Sequence, residues 1–127
     1  GWAAGVPGKP VFVSEYGAGA VAGNHRLPAV PFTEEFQVAV LQADHAAFDR
    51  FRGKGSGTAV MGGEHVHSFH DFEQAGSSNG GIGKTLVNDV LGLNYKGLHS
   101  RDMNPKAAAA VIRARYHAVA AEATGTR

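Results

Sequence analysis

Three short stretches of this sequence hold side chains whose types and spacing could do chemistry. In "PVFVSEYGAG", residues 10–19, a lone Glu15 closes an apolar run and is followed by small residues that favour a turn. An ionised carboxylate at the end of a buried segment persists only where it is paired, exposed or needed for a reaction, because dehydrating it is costly. At the C-terminal end of a barrel strand catalysis is the habitual explanation; a solvated loop residue is the plain alternative. In "SSNGGIGKT", residues 77–85, glycines lead into Lys84 and Thr85, and backbone N–H groups with a lysine can cradle a phosphate. The full spacing of a phosphate loop would need Gly where Ser78 stands, and a Gly-rich insertion is the alternative. In "GEHVHSFHDF", His65 and His67 fall on one strand face with His70 and Asp71 just beyond, a spacing that could bring two imidazoles to a metal or simply mark packed and loop histidines.

The elements that must position these residues are legible from periodicity. Residues 10–16 are β-branched and aromatic between Pro10 and Gly17 and predict a strand, with Val11, Val13 and Glu15 on one face and Phe12, Ser14 and Tyr16 on the other. Both faces are largely apolar, as in a parallel strand covered on each side. Residues 34–52 predict an amphipathic helix: Thr33 is the cap, Glu34 and Glu35 sit in the first turn where the helix dipole favours anions, and Phe36, Val40, Ala43, Ala47 and Phe51 recur at helical spacing as its core stripe. A second strand is predicted over 59–70, with Glu64 at its start, and residues 73–102 read as irregular. A closing helix is predicted over 105–122, with Asn104 as cap, Pro105 at its first position and a stripe of Ala108, Val111, Ile112, Tyr116 and Val119.

Composition bounds what these elements can be. A chain of 127 residues with 43% hydrophobic content supports one modest core, so 1–127 is read as a single segment. A net charge of +1, with the charges scattered, offers no basic stripe, so no nucleic-acid partner is expected. The absence of cysteine excludes disulfides, thiolate metal sites and a cysteine nucleophile, and no apolar run approaches membrane-spanning length. No membrane partner and a cytoplasmic location are therefore expected. The alternation strand, helix, strand, helix is the unit of α/β architecture. Two strands make a poor sheet, and ~250 residues is typical of an eight-stranded barrel, so the chain could supply only part of one.

The blocks "KPVFVSEYGAGAVAGNH", "FTEEFQ", "GEHVHSFHDF", "NYKG" and "RDMNPKAAAAVIRARY" stand in the same order as in the C-terminal portion of the catalytic barrel of β-glucuronidases of glycoside hydrolase family two, which the chain resembles over residues 9–119. The resemblance implies an α/β fold made of two strand-helix units equivalent to the last quarter of a (β/α)8 TIM barrel, with long Gly-rich loops. It implies that Glu15, in "SEYG", is the nucleophile of a retaining hydrolase acting on β-glucuronides or related glycosides. It further implies that Asn94 and Lys96, in "NYKG", bind the sugar carboxylate, where an amide donor and an amine suit a uronate. Tyr16 would help shape the sugar site or simply pack as an aromatic, and His67, which stands where the family has a bulky aromatic, would line the sugar site. Val90 stands where the family has an Arg shortly before the Asn. No cofactor and no metal are implied.

The family's acid/base Glu lies on an earlier strand, and no residue here maps to it; Glu64 reads instead as a stability residue at the barrel floor. The chain alone is thus not expected to be a competent hydrolase. The remainder of a barrel is expected either in a longer polypeptide of which this is a piece, on another chain, or in a homo-oligomer. The competing expectations are a non-catalytic structural module that self-associates and a small phosphate-binding protein using residues 77–85.

Overall fold

The computed structural model describes residues 9–52, 61–73 and 93–125. In chain order these form β1 (Val11–Tyr16), α1 (Glu34–Asp49), β2 (Met61–Val66), β3 (Phe72–Glu73), β4 (Leu93–Asn94) and α2 (Ala107–Thr124). β1 runs parallel to β2, and the short β3 and β4 pair antiparallel. A parallel pair needs a crossover connection, and α1 lies on it. The helices touch each other and cover one face of the β1–β2 pair. The core between the layers is Leu41, Leu98, Ala108 and Ile112, with Tyr16, Val38, Val66 and Ala109 packed against it.

Several expectations are corrected by this arrangement. Strict alternation along β1 fails, because the register against β2 shifts between Val13, opposite Glu64, and Tyr16, opposite Val66. The irregularity advances the phase by one residue. Val11, Val13 and Tyr16 are therefore half-buried, while Phe12, Ser14 and Glu15 are exposed. Phe12, 57% exposed, lies across Gly63 and meets the His65 ring edge-on at 5.0 Å, so the helix-free sheet face is open to solvent.

The inner face of α1 is not the apolar stripe. Its buried residues are Glu34, Gln37, Leu41 and His45, three of them polar because they bond to groups of the neighbouring segments. Phe36 and Val40 are half-buried, Ala43 and Ala47 exposed, and Phe51 is 61% exposed beyond the helix end at Asp49. Thr33 does cap the helix, its Oγ1 accepting the Phe36 N–H at 3.2 Å.

The closing helix starts later than expected. Pro105 bridges to His99, and Lys106 stays extended because its N–H donates to the Leu98 carbonyl at 2.9 Å; Ala107 is the first helical residue. Asn104 accordingly does not cap it. The cap comes from the other helix: Glu34 Oε2 accepts the Ala107 N–H at 2.6 Å and its Oε1 accepts the Gly23 N–H at 2.8 Å. Within the stretch expected to be irregular, Glu73 belongs to β3 and Leu93 and Asn94 to β4. β2 ends at Val66, and the expected strand residues 59 and 60 lie outside the described residues.

Glu64 is likewise not at a strand start but mid-strand, opposite Val13, and its carboxylate turns toward the helices. There it accepts Arg115 Nε and Nη2 at 3.0 and 3.1 Å and lies 3.7 Å from Arg52.

Candidate functional site

Glu15 is the penultimate residue of β1 and is exposed at the strand's C-terminal end. The chain leaves β1 through Gly17, whose φ of +135° is closed to most side chains and where a Cβ would stand 3.0 Å from the His67 carbonyl. That close approach joins the first stretch to the second, since the Tyr16 carbonyl accepts the His67 N–H at 2.8 Å. The second stretch reaches the third directly afterwards: the Ser68 N–H donates to the Lys96 carbonyl at 3.1 Å, and Leu98 N–H to the Ser68 carbonyl at 2.9 Å. The Ala20 N–H donates to the Tyr95 carbonyl at 2.9 Å and closes the circuit. Residues 15–20, 67–68 and 94–98, distant in sequence, thus meet at the C-terminal ends of the two parallel strands.

Within this cluster Asn94 is buried and its Oδ1 accepts the Lys96 N–H at 3.0 Å, bending the backbone so that the two residues share one turn. Lys96 is half-buried, and its carbonyl and amide are both engaged in these bonds. His67 is half-buried with its ring edge-on to Phe72 at 5.8 Å. Tyr16 is placed differently from expectation: the register shift turns it to the helix side, where its ring packs edge-on to Phe48 and its hydroxyl lies 3.1 Å from His45 Nε2 and donates to Glu64 Oε1 at 3.3 Å. Burial, together with Tyr116 and Glu64, pushes the Tyr16 phenol well above its usual range, so it stays a neutral donor between the layers. Burial and then the Arg115 cation push His45 down, keeping that imidazole neutral beside it.

Three buried polar residues hold the cluster together: Lys106 and Gln37, to which the sequence assigned no role, and Asp71, which it weighed only as a metal neighbour. Lys106, with its side chain fully buried, donates to the carbonyls of Ala20 at 2.6 Å and Tyr95 at 3.1 Å and to Asp71 Oδ1 at 2.7 Å, which uses all three ammonium hydrogens. Burial lowers its pKa, while Asp71 acts in the opposite direction. Asp71 Oδ1 also accepts the Gly97 N–H at 2.9 Å, and Gln37 Nε2 donates to the carbonyls of Ala18 and Gly97 at 2.9 and 3.1 Å. The one sequence signal for Lys106 was its place after Pro105, where the chain reads as an ordinary helix start.

The metal reading finds no ligand grouping among the described residues. His70 Nδ1 is 2.7 Å from the Asp71 carbonyl and the Asp71 carboxylate is committed to Lys106; among the described residues no three His, Cys, Asp or Glu side chains are grouped to hold a metal. Residues 77–85, with Lys84, and Val90 lie outside the described residues. A cleft of about 440 Å³ between Phe69, Leu98, His99, Pro105, Ala109 and Arg113 contains none of the expected site residues.

Parallel strands under paired helices, with a carboxylate at a strand's C-terminal end, define a mixed α/β chain whose candidate site residues gather past the strand ends. Comparison with known proteins makes the class particular. The chain is 42% identical over 109 residues to a β-glucuronidase of Paenibacillus borealis, a match spanning 86% of this chain and 15% of that protein. A solved β-glucuronidase of Lactobacillus rhamnosus superposes with a TM-score of 0.68 at 35% identity, covering 86% of this chain and 16% of the other. A β-glucuronidase from Ruminococcus gnavus solved in complex with D-glucuronic acid gives 0.66 at 31% identity, over 84% of this chain and 16% of its own. No protein-family model matches. The chain is therefore related, over most of its own length, to a segment of β-glucuronidase, and it spans about one-sixth of the relatives it matches.

Proposed function

We propose that this chain is the nucleophile-bearing part of a retaining β-glucuronidase barrel, equivalent to its last two strand-helix units. Glu15 attacks the anomeric carbon and forms the glycosyl intermediate. A second carboxyl group, roughly 5 to 5.5 Å away as retention requires, comes from the remainder of the barrel, protonates the leaving oxygen and then activates water. Asn94 and Lys96 receive the uronate, with His67 on the same rim. The observation that carries this reading is the backbone circuit through Tyr16–His67, Ser68–Lys96 and Ala20–Tyr95, which gathers the expected site segments at one end of the strands. It is supported by the similarity to a relative solved with D-glucuronic acid. The open sheet face around Phe12, 57% exposed, is consistent with coverage by the rest of a barrel, in the same polypeptide, on another chain or in a second copy.

The test is release of the chromophore from a chromogenic β-glucuronide by the native particle that contains this chain. Turnover that disappears in Glu15→Gln supports the proposal. Absence of turnover and of sugar binding in that particle would instead favour a non-catalytic structural module.

A further inference from the structure

We propose that Gln37 is a positioning residue that ties the turn after Glu15 to the Asn94–Lys96 segment and thereby sets selectivity for a uronate over the matching neutral sugar; this rests on the assignment of Glu15, Asn94 and Lys96 proposed above. A carboxamide has two N–H donors, and here both are committed across the site. One acceptor is the Ala18 carbonyl, 2.9 Å away and three residues beyond Glu15; on the other side are the Gly97 carbonyl, 3.1 Å away, and more distantly the Lys96 carbonyl at 3.5 Å. Gln37 is 1% exposed and stands in the first turn of α1, a rigid element outside both segments. The opposite orientation of the amide would set Oε1 against carbonyl oxygens, so the acceptors themselves determine which end points inward.

The other end of the same amide shows that the bridge has a cost. Gln37 Oε1 is buried with no hydrogen-bond partner among the described residues, a state that lowers stability and is uncommon in folded proteins. An apolar side chain of the same length would avoid that orphan acceptor. What it could not do is hold Ala18 and Gly97 at one separation.

Selectivity follows from what each contact must do. A uronate needs the Lys96 ammonium and the Asn94 amide at a defined distance from the anomeric carbon over Glu15, and small misplacements in such sites are costly. A neutral sugar makes no ionic contact with Lys96 and tolerates a looser register. Lys106 holds the adjacent pair of carbonyls, Ala20 and Tyr95, but its loss would also strand the Asp71 carboxylate, so Gln37 is the position where coupling separates from folding.

The experiment is Gln37→Met in the native particle, because Met matches the length of Gln, removes both donors and removes the orphan oxygen. The expected result is a folded particle with a modestly lower melting temperature, since the Ala18 and Gly97 carbonyls lose their donor, hydrogen exchange in peptides covering 18–21 and 95–98 accelerated roughly tenfold or more together, and a preference for D-glucuronate over D-glucose reduced about tenfold. Gln37→Leu, which also lacks both donors, should lose the preference equally. Unchanged exchange, or faster exchange with selectivity intact, overturns the proposal. If the wild-type particle binds neither sugar, the uronate assignment and the selectivity built on it both fall, while the exchange rates still report separately whether Gln37 couples the two segments.

Discussion

Glu15 and Glu64 are the same side chain on adjacent strands, and the fold treats them in opposite ways. Glu64 is buried among Arg115, Arg52 and the Tyr16 hydroxyl, and Arg115 is anchored a second time by Asp49 at 2.6 Å. Glu64 and Asp49 hold the Arg115 guanidinium charged, with its pKa pushed above the usual value. Removing one partner of such a pair strands a charge, so Arg115→Ala should lower the unfolding free energy by about 3 kcal/mol in urea titrations. Glu15, exposed at the strand end, carries no comparable structural load, and Glu15→Gln should leave the same titration within about 0.5 kcal/mol of wild type. At the proposed uronate contact, losing a charged hydrogen bond of about 1.5 to 3 kcal/mol predicts that Lys96→Ala cuts kcat/KM for a glucuronide about 10- to 100-fold and hardly touches a glucoside.

At the scale of elements, the two helices are stitched end to end rather than capped independently. Glu34 belongs to α1 by sequence but caps α2, and it holds the Gly23 amide with its other oxygen. Thr33→Ala removes one cap bond and should cost about 1 kcal/mol. Glu34→Ala should cost more, about 2 kcal/mol or above, because one buried carboxylate holds two backbone amides, those of Ala107 and Gly23, and both are released. Denaturant midpoints of the two variants decide it; equal losses would show that Glu34 acts on its own helix alone. The turn after β4 has a similar fixed point at Gly97, where a Cβ would collide with the backbone nitrogen of Asp71. Gly97→Ala therefore forces backbone apart rather than a flexible side chain, and a loss of about 3 kcal/mol is expected.

For the whole molecule, the layer between sheet and helices is where pH enters. His45 is pushed down by burial and by Arg115, so the unfolded chain takes up a proton before the folded one does. Its contribution is complete above the ordinary histidine value of about 6.5 and is lost as pH falls toward the depressed folded value. The exposed His25, raised chiefly by its bond to Glu35, works in the opposite sense: its contribution is present at low pH and fades as pH rises through the raised value. High salt screens that exposed pair and leaves the buried one. Melting temperatures measured in high salt should therefore fall as pH drops below about 6.5, and His45→Gln should flatten that slope.

Much of this architecture was already written in the sequence. The strand that carries Glu15 near its end, the Thr33 cap, the Ala108 and Ile112 stripe and the ordered blocks shared with β-glucuronidases are all local patterns, set by side-chain type, helical period and turn chemistry within a few residues. The face on which Tyr16 falls, the inner side of α1 and the start of α2 depended on partners far along the chain: a one-residue register shift against β2, polar groups that Gln37 and Glu34 satisfy, and a backbone pairing that keeps Lys106 extended. Apolar periodicity is blind to these because a buried hydrogen bond can place a polar residue inward as firmly as hydrophobicity places an apolar one. Only the folded chain decides which amide or ammonium finds its acceptors, and therefore which residues hold the site in place.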